Sequence, residues 1–145
     1  MTDQPLTPFW PSAKTLGARF VGMDEATKTM EMAFDPPEGF ANMRGHVQGG
    51  LLAGFMDEAM GAAVYLGTGG RLQLTLDINL SLLAPVALAP VTVKARPVKS
   101  GRRITFVEAE LFDHEGQLCA RATGTAMATE WPGQKDTGKG EQADG

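Results

Sequence analysis

Cysteine is almost absent from this chain: Cys119 is the single thiol in 145 residues. An intrachain disulfide is therefore impossible, and no cysteine set suggests a zinc site. Histidine is nearly as scarce, with His46 and His114 forming neither an HxxxH nor an HExxH spacing, so no metal is expected. No run of about 18 apolar residues occurs, which argues against a membrane-spanning helix. The opening MTDQPLTPFW has neither a basic region nor an apolar signal core, so secretion is not expected and the location reads as cytoplasmic. Positive charge is not in excess: a net charge of −4 argues against a nucleic-acid partner, although residues 96–99 and Arg102-Arg103 form local basic spots. The nucleophile elbow GxSxG and the dinucleotide fingerprint GxGxxG are both missing, and the glycine run GTGGR lacks the GK[ST] of a phosphate loop. Internal repeats and interior linkers are missing as well.

What remains suits one small folded domain. Apolar residues make up 43% of the chain, enough for a packed core and too many for wholesale disorder. Residues 1–14 read as an N-terminal extension, in which Pro11 could start a short helix. Residues 15–129 form the domain, and the polar, glycine-rich residues 130–145 read as a flexible tail. Trp10 and Trp131 could each pin an end of the chain to the domain.

Periodicity supplies the elements. ARFVGM and KTMEMAF read as two strands joined near Asp24-Glu25, and Pro36-Pro37 stops the second. A loop follows, EGFANMRGHVQG, carrying Glu38, Asn42, Arg44 and His46. Residues 50–66 then read as a helix that is apolar nearly all round, hence buried rather than surface-lying. In RLQLTLDINLSLLAP the alternation is almost complete. Leu72, Leu74, Leu76, Ile78 and Leu80 share one face, expected to pack on the helix, and Gln73, Thr75, Asp77, Asn79 and Ser81 share the other. VTVKARPV, RRITFVEAELFD and LCARATGTAMAT complete the strands, with SGRR and HEGQ as hairpin turns. One long helix and about five or six strands call for a sheet that curls around the helix.

The chemistry concentrates in GHVQGGLLAGFMDEAMGAAV, residues 45–64. Asp57 and Glu58 sit in the middle of its apolar helix. Asp57 has Ala53, Gly54, Met60 and Gly61 three and four residues away, so small neighbours leave room beside its carboxylate. Either acid could equally face solvent or a partner. Gly49 and Gly50 fall at the helix start, where free N–H groups point outward and the helix dipole is positive, and Gln48 adds an amide. Such donors suit an oxyanion, or merely a loose helix start. Gly49 and Asp57 are eight residues apart, about 12 Å along one helix, too far to serve one reacting group within a chain. The reach works if Asp57 of one subunit faces Gly49 of another. His114, in DHEG, reads as solvated, and Cys119 as buried filler.

NMRGHVQGGLLAGFMDEAMG, with DINLSLLAP downstream, resembles the hotdog-fold acyl-CoA thioesterases of the phenylacetate-pathway (PaaI-like) type over residues 15–128. That family reads asparagine, a short gap, His-Gly-Gly, six residues and an aspartate; Asn42, Gly49, Gly50 and Asp57 match. Thr75 matches the serine or threonine that helps hold the lytic water, and Asn79 to Pro85 match NxxxxxP. One position departs: the histidine before Gly-Gly is Gln48, and His46 stands two residues earlier. The resemblance implies an α+β hotdog fold, a curved antiparallel sheet wrapped around one long central helix. It implies thioester hydrolysis with Asp57 as base or nucleophile and Gly49 as oxyanion donor. Asn42, Thr75 and Gln48 support them. Substrate contacts are expected from Gly50, His46, Gly54, Met60 and Gly61, with Lys99, Arg102 and Arg103 meeting the phosphates of coenzyme A. It further implies a homodimer with the site at its interface, often paired into a tetramer, and no metal or redox cofactor. The competing expectation is an acyl-CoA or pantetheine-thioester binder that does not hydrolyse, which the missing histidine favours. An enoyl-CoA hydratase is disfavoured because the loop lacks the aspartate of an Asp-His pair.

Overall fold

A computed structural model describes residues 10–129. The expected tail and Trp131 lie outside the described residues. The elements run α1 (Pro11–Thr15), β1 (Ala18–Asp24), β2 (Thr29–Phe34), a single 3₁₀ turn (Glu38–Phe40), α2 (Gly49–Gly67), β3 (Gln73–Leu82), β4 (Val91–Ser100), β5 (Ile104–Phe112) and β6 (Leu118–Ala128). All strand pairs are antiparallel, in the order β1-β2-β4-β5-β6-β3. α2 packs against β2, β3, β4, β5 and β6, so one sheet surrounds one helix. This is the hotdog fold.

Local chemistry explains the turns. Asp24 accepts at Oδ1 from the N–H groups of Ala26 (2.9 Å) and Thr27 (3.4 Å), closing the β1–β2 hairpin. Asp113 does the same for Glu115 and Gln117, both at 2.9 Å, in the β5–β6 turn. The Gln117 N–H, first among the causes, holds the Asp113 carboxyl below its usual pKa.

The core forms where the buried stripe of α2 meets the sheet. Leu52, Phe55, Met56, Ala59, Met60, Ala63 and Val64 are buried, as are Met30, Met32 and Phe34 of β2 and Val91, Val93 and Ala95 of β4. Phe55 stacks on Phe34 with ring centroids 4.8 Å apart and lies 6.1 Å from Phe40. Phe55→Ala would empty the centre of this cluster. A loss of about 3–5 kcal/mol in unfolding free energy is expected, readable as a lower midpoint in urea at unchanged slope. Cys119 is fully buried, and that burial raises its thiol pKa, in keeping with a packing role.

Expectation and structure part at β3. Its ladder with β6 shifts register between Thr75 and Asp77, leaving Leu76 as an extra, bulged residue. A bulge reverses the facing of the strand on one side of it. After the bulge Ile78 and Leu80 pack against the core as expected. Before it, Thr75 turns to the helix, while Leu74 and Leu76 remain 52% and 50% exposed. The leucine row is therefore not one face. β3 is also an edge strand, paired on one side only.

Candidate active site

α2 begins on a tight loop. Asn42 accepts at Oδ1 from the N–H groups of Arg44 (2.9 Å) and His46 (3.1 Å), and its own N–H donates to the His46 carbonyl at 2.7 Å. His46 is thus held through its backbone, in a bridge to Ala87. Gln48 is the helix N-cap: its Oε1 accepts from Leu51 N–H at 3.1 Å. That oxygen is spent on the helix, leaving the amide N–H₂ of Gln48 for other work. Among the described residues the N–H groups of Gly49 and Gly50 have no acceptor. A Cβ at Gly49 would come within 2.9 Å of Leu82 Cδ1, so glycine keeps the strand close to the helix start.

The two acids separate in space because successive helix residues are about 100° apart. Glu58 turns to α1. It accepts from Trp10 Nε1–H at 2.6 Å and also from the Ser12 hydroxyl, while Ala13 beside them is buried. Asp57 turns to β3, where the Thr75 hydroxyl donates to its Oδ1 at 2.9 Å. One carboxylate ties the N-terminal segment down. The other has one oxygen oriented by a threonine and the second directed at no protein donor among the described residues.

Asp57 and Thr75 stand at the junction of two hollows. The larger, an open cleft of about 290 Å³, runs along Gly61, Tyr65, Leu72 and Gln73 to Trp10. The smaller, about 20 Å³, lies beneath it between α2 and the sheet, floored by Met60, Val107 and Gly124. Of the expected substrate contacts, Gly61 lines both hollows and Met60 only the inner one. Gly54 lines neither; a Cβ there would face Leu16 at 3.9 Å. Lys99, Arg102 and Arg103 are exposed near the β4–β5 turn. Arg71 donates to the Arg102 carbonyl at 3.0 Å, and a Cβ at Gly67 would meet Pro97 at 2.9 Å. The basic turn therefore borders the C-terminal end of α2, about 27 Å from the Gly49 end by helix rise. His114 is remote, beside Glu115 at 3.8 Å in its own turn.

Trp10 pins the N-terminal segment as expected, but sequence reasoning missed that it does so on Glu58, and missed Ser12 and Gln73 as members of this region. Gln73 was readable only as one polar position in an alternating strand, and the pairing of Trp10 with Glu58 spans 48 residues. Among the described residues, no cluster of histidine, cysteine and carboxylate groups suits a metal, and no helix is long and apolar enough to cross a membrane.

A helix carboxylate oriented by a strand hydroxyl has the chemistry of a base or nucleophile, and open backbone donors at a helix start have that of an oxyanion site. The chain belongs to the thioesterase superfamily, whose family model matches residues 44–120. A solved structure from Ralstonia eutropha JMP134, a phenylacetic acid degradation-related protein provisionally described as a thioesterase, is 33% identical. The match covers 79% of this chain and 87% of that one, with a TM-score of 0.72. A hypothetical thioesterase of Streptococcus pneumoniae TIGR4, solved with coenzyme A, shares the fold at 21% identity and a TM-score of 0.72, covering 81% and 91% of the two chains. A Saccharolobus solfataricus protein carrying a provisional esterase name is 24% identical over 112 residues, 77% of this chain and 79% of its own. Thioester hydrolysis is the chemistry of this superfamily.

Proposed function

We propose that the protein hydrolyses acyl-CoA thioesters to the free acid and coenzyme A, in a site completed by a second copy of the chain. The observation that carries the reading is the Asp57 carboxylate at the mouth of the cleft, one oxygen held by Thr75 at 2.9 Å. Its free oxygen is available to take a proton from water as that water attacks the thioester carbonyl. Alternatively, the same oxygen attacks the carbonyl itself and gives an anhydride that water then opens. In both routes the C–S bond breaks, the thiolate leaves and is protonated, and the carbonyl oxygen carries negative charge on the way. The N–H groups of Gly49 and Gly50 suit that charge, reinforced by the dipole of α2.

Both parts lie on one helix, about 12 Å apart. A second α2 running antiparallel to the first would bring the helix start of one copy to Asp57 of the other, making two equivalent sites. The unpaired edge of β3, with Leu74 and Leu76 exposed, supports joining of the copies there. Lys99, Arg102 and Arg103 then serve as phosphate contacts for coenzyme A, and Asn42 and Gln48 shape the donor loop. No metal or redox cofactor enters the reaction, and a cytoplasmic location suits an acyl-CoA substrate. Pairs of dimers are the expected larger assembly.

The test is a kcat/KM panel of acetyl-, hexanoyl-, phenylacetyl-, benzoyl- and palmitoyl-CoA. The mouth of the cleft is walled by Gly61, Ala62, Tyr65 and Leu72, which suits a ring or a short-to-medium chain. Those substrates are expected to outrun palmitoyl-CoA. Because each methylene discriminates by only about 1–3 kcal/mol, the preference among them is expected to be broad. Tight binding of every substrate with no thiol released over hours would transfer the protein to the binding-only class, the reading that Gln48 in place of histidine favours.

A further inference from the structure

The amide oxygen of Gln73 is buried without a hydrogen-bond partner, alone in this among the side-chain nitrogen and oxygen atoms of the described residues. Such groups are rare in folded proteins, because a desolvated acceptor loses its water and gains nothing in exchange. Gln73 is placed where a ligand would supply the missing donor: it borders both hollows that meet at Asp57. No group of the described residues donates to it. The Thr75 hydroxyl is committed to Asp57, and β3 pairs with β6 through Gln73 opposite Ala128 and Thr75 opposite Ala126.

We infer that Gln73 reads the substrate, its side-chain carbonyl accepting a hydrogen bond from an N–H or O–H donor of the bound thioester. This rests on the thioesterase reading above and adds a specificity-determining residue to it. The strand sets the ruler. Thr75 marks the reacting carbonyl through Asp57, and Gln73 is the next residue of β3 on the same face, about 7 Å away. The donor must sit at about that distance from the thioester carbon. Two parts of an acyl-CoA satisfy this: a hydroxyl at the far end of a short acyl group, or the first amide N–H of the pantetheine arm. Leu72, Tyr65 and Ala62 line the cleft beside it, and the polar groups that share the lining, Ser12, Glu58, Asp57 and Thr75, are engaged with one another or with Trp10. In such surroundings a buried acceptor discriminates strongly against a ligand that leaves it unpaired.

The experiment compares substrate pairs within one protein, so a general loss of activity cancels. The acyl arm sets 4-hydroxyphenylacetyl-CoA against phenylacetyl-CoA, and 6-hydroxyhexanoyl-CoA against hexanoyl-CoA. The thiol arm sets the phenylacetyl thioester of N-acetylcysteamine against that of 1-pentanethiol, which lacks the amide. For the wild type, the donor-bearing member of one arm is expected to lead in kcat/KM by about 10- to 100-fold. Gln73→Leu is expected to bring that ratio close to one. Gln73→Met serves the same purpose should the leucine variant fail to fold, with thermal midpoints as the control. The arm that responds identifies the source of the donor. Unchanged ratios in both arms for a folded variant would overturn the inference while leaving hydrolysis itself standing. Should the wild type bind these thioesters without cleaving them, Kd ratios replace kcat/KM ratios. The role of Gln73 is then decided separately from the reaction.

Discussion

Asp57→Asn is expected to lower kcat/KM for acyl-CoA hydrolysis by about 10²- to 10⁴-fold, the range a lost general base commonly costs. The change keeps the size of the side chain and leaves a carbonyl oxygen to accept from Thr75, so the fold and the 2.9 Å contact have no reason to alter. What disappears is the basic, nucleophilic oxygen facing the cleft. Glu58→Gln is the necessary control because it alters the adjacent acid. Glu58 is engaged by Trp10 and Ser12 and turns away from Thr75. Its neutralisation is expected to loosen α1, a wall of the cleft, and so to raise KM while kcat holds within a few-fold. The reverse pattern, full turnover in Asp57→Asn and collapse in Glu58→Gln, would transfer the reaction to the other acid.

A comparable loss is expected from separating the subunits. Leu74→Lys with Leu76→Lys places charge on the exposed edge of β3, where both leucines are about half exposed in the single chain. Neither leucine belongs to the core, so the variant is expected to stay folded with a circular dichroism spectrum like that of the wild type. Light scattering at micromolar concentration is expected to show a dimer or tetramer for the wild type and a monomer for the variant. Each monomer keeps Asp57 but loses the helix-start donors that a partner would bring. Removing an oxyanion donor alone costs about 10²- to 10³-fold in related chemistry, and that is the expected minimum. A fully active monomer would sink the shared site, since about 12 Å of helix separates Asp57 from Gly49 within one chain.

Most of the secondary structure was legible because its elements declare themselves locally: the apolar run around Phe55 makes α2, and glycine turns separate the last three strands. The superfamily was legible too, since the spacing from Asn42 through Gly49 to Asp57 lies within 16 residues of continuous sequence. The facing of β3 was not. The alternation of residues 72–80 reads as one leucine face, but the bulge that reverses it arises from the pairing with β6, more than 40 residues away.

Local sequence was enough to place a helix bearing two adjacent acids after a pair of glycines, within a sheet-rich domain lacking the cysteines for a disulfide. It favoured Asp57 through its small neighbours and the family resemblance, but rotation of about 100° per residue states only that the two acids diverge, not what each one meets. The tertiary structure gave each acid its own partners. The chain order of the sheet lays β3 beside α2, so Thr75 meets Asp57, and the docking of α1 consumes Glu58. It also stripped the Gln73 amide oxygen of solvent without supplying a protein donor. Contacts of this kind are set by which surfaces the fold presses together. They join residues 18, 46 and 48 positions apart, beyond the reach of any local pattern.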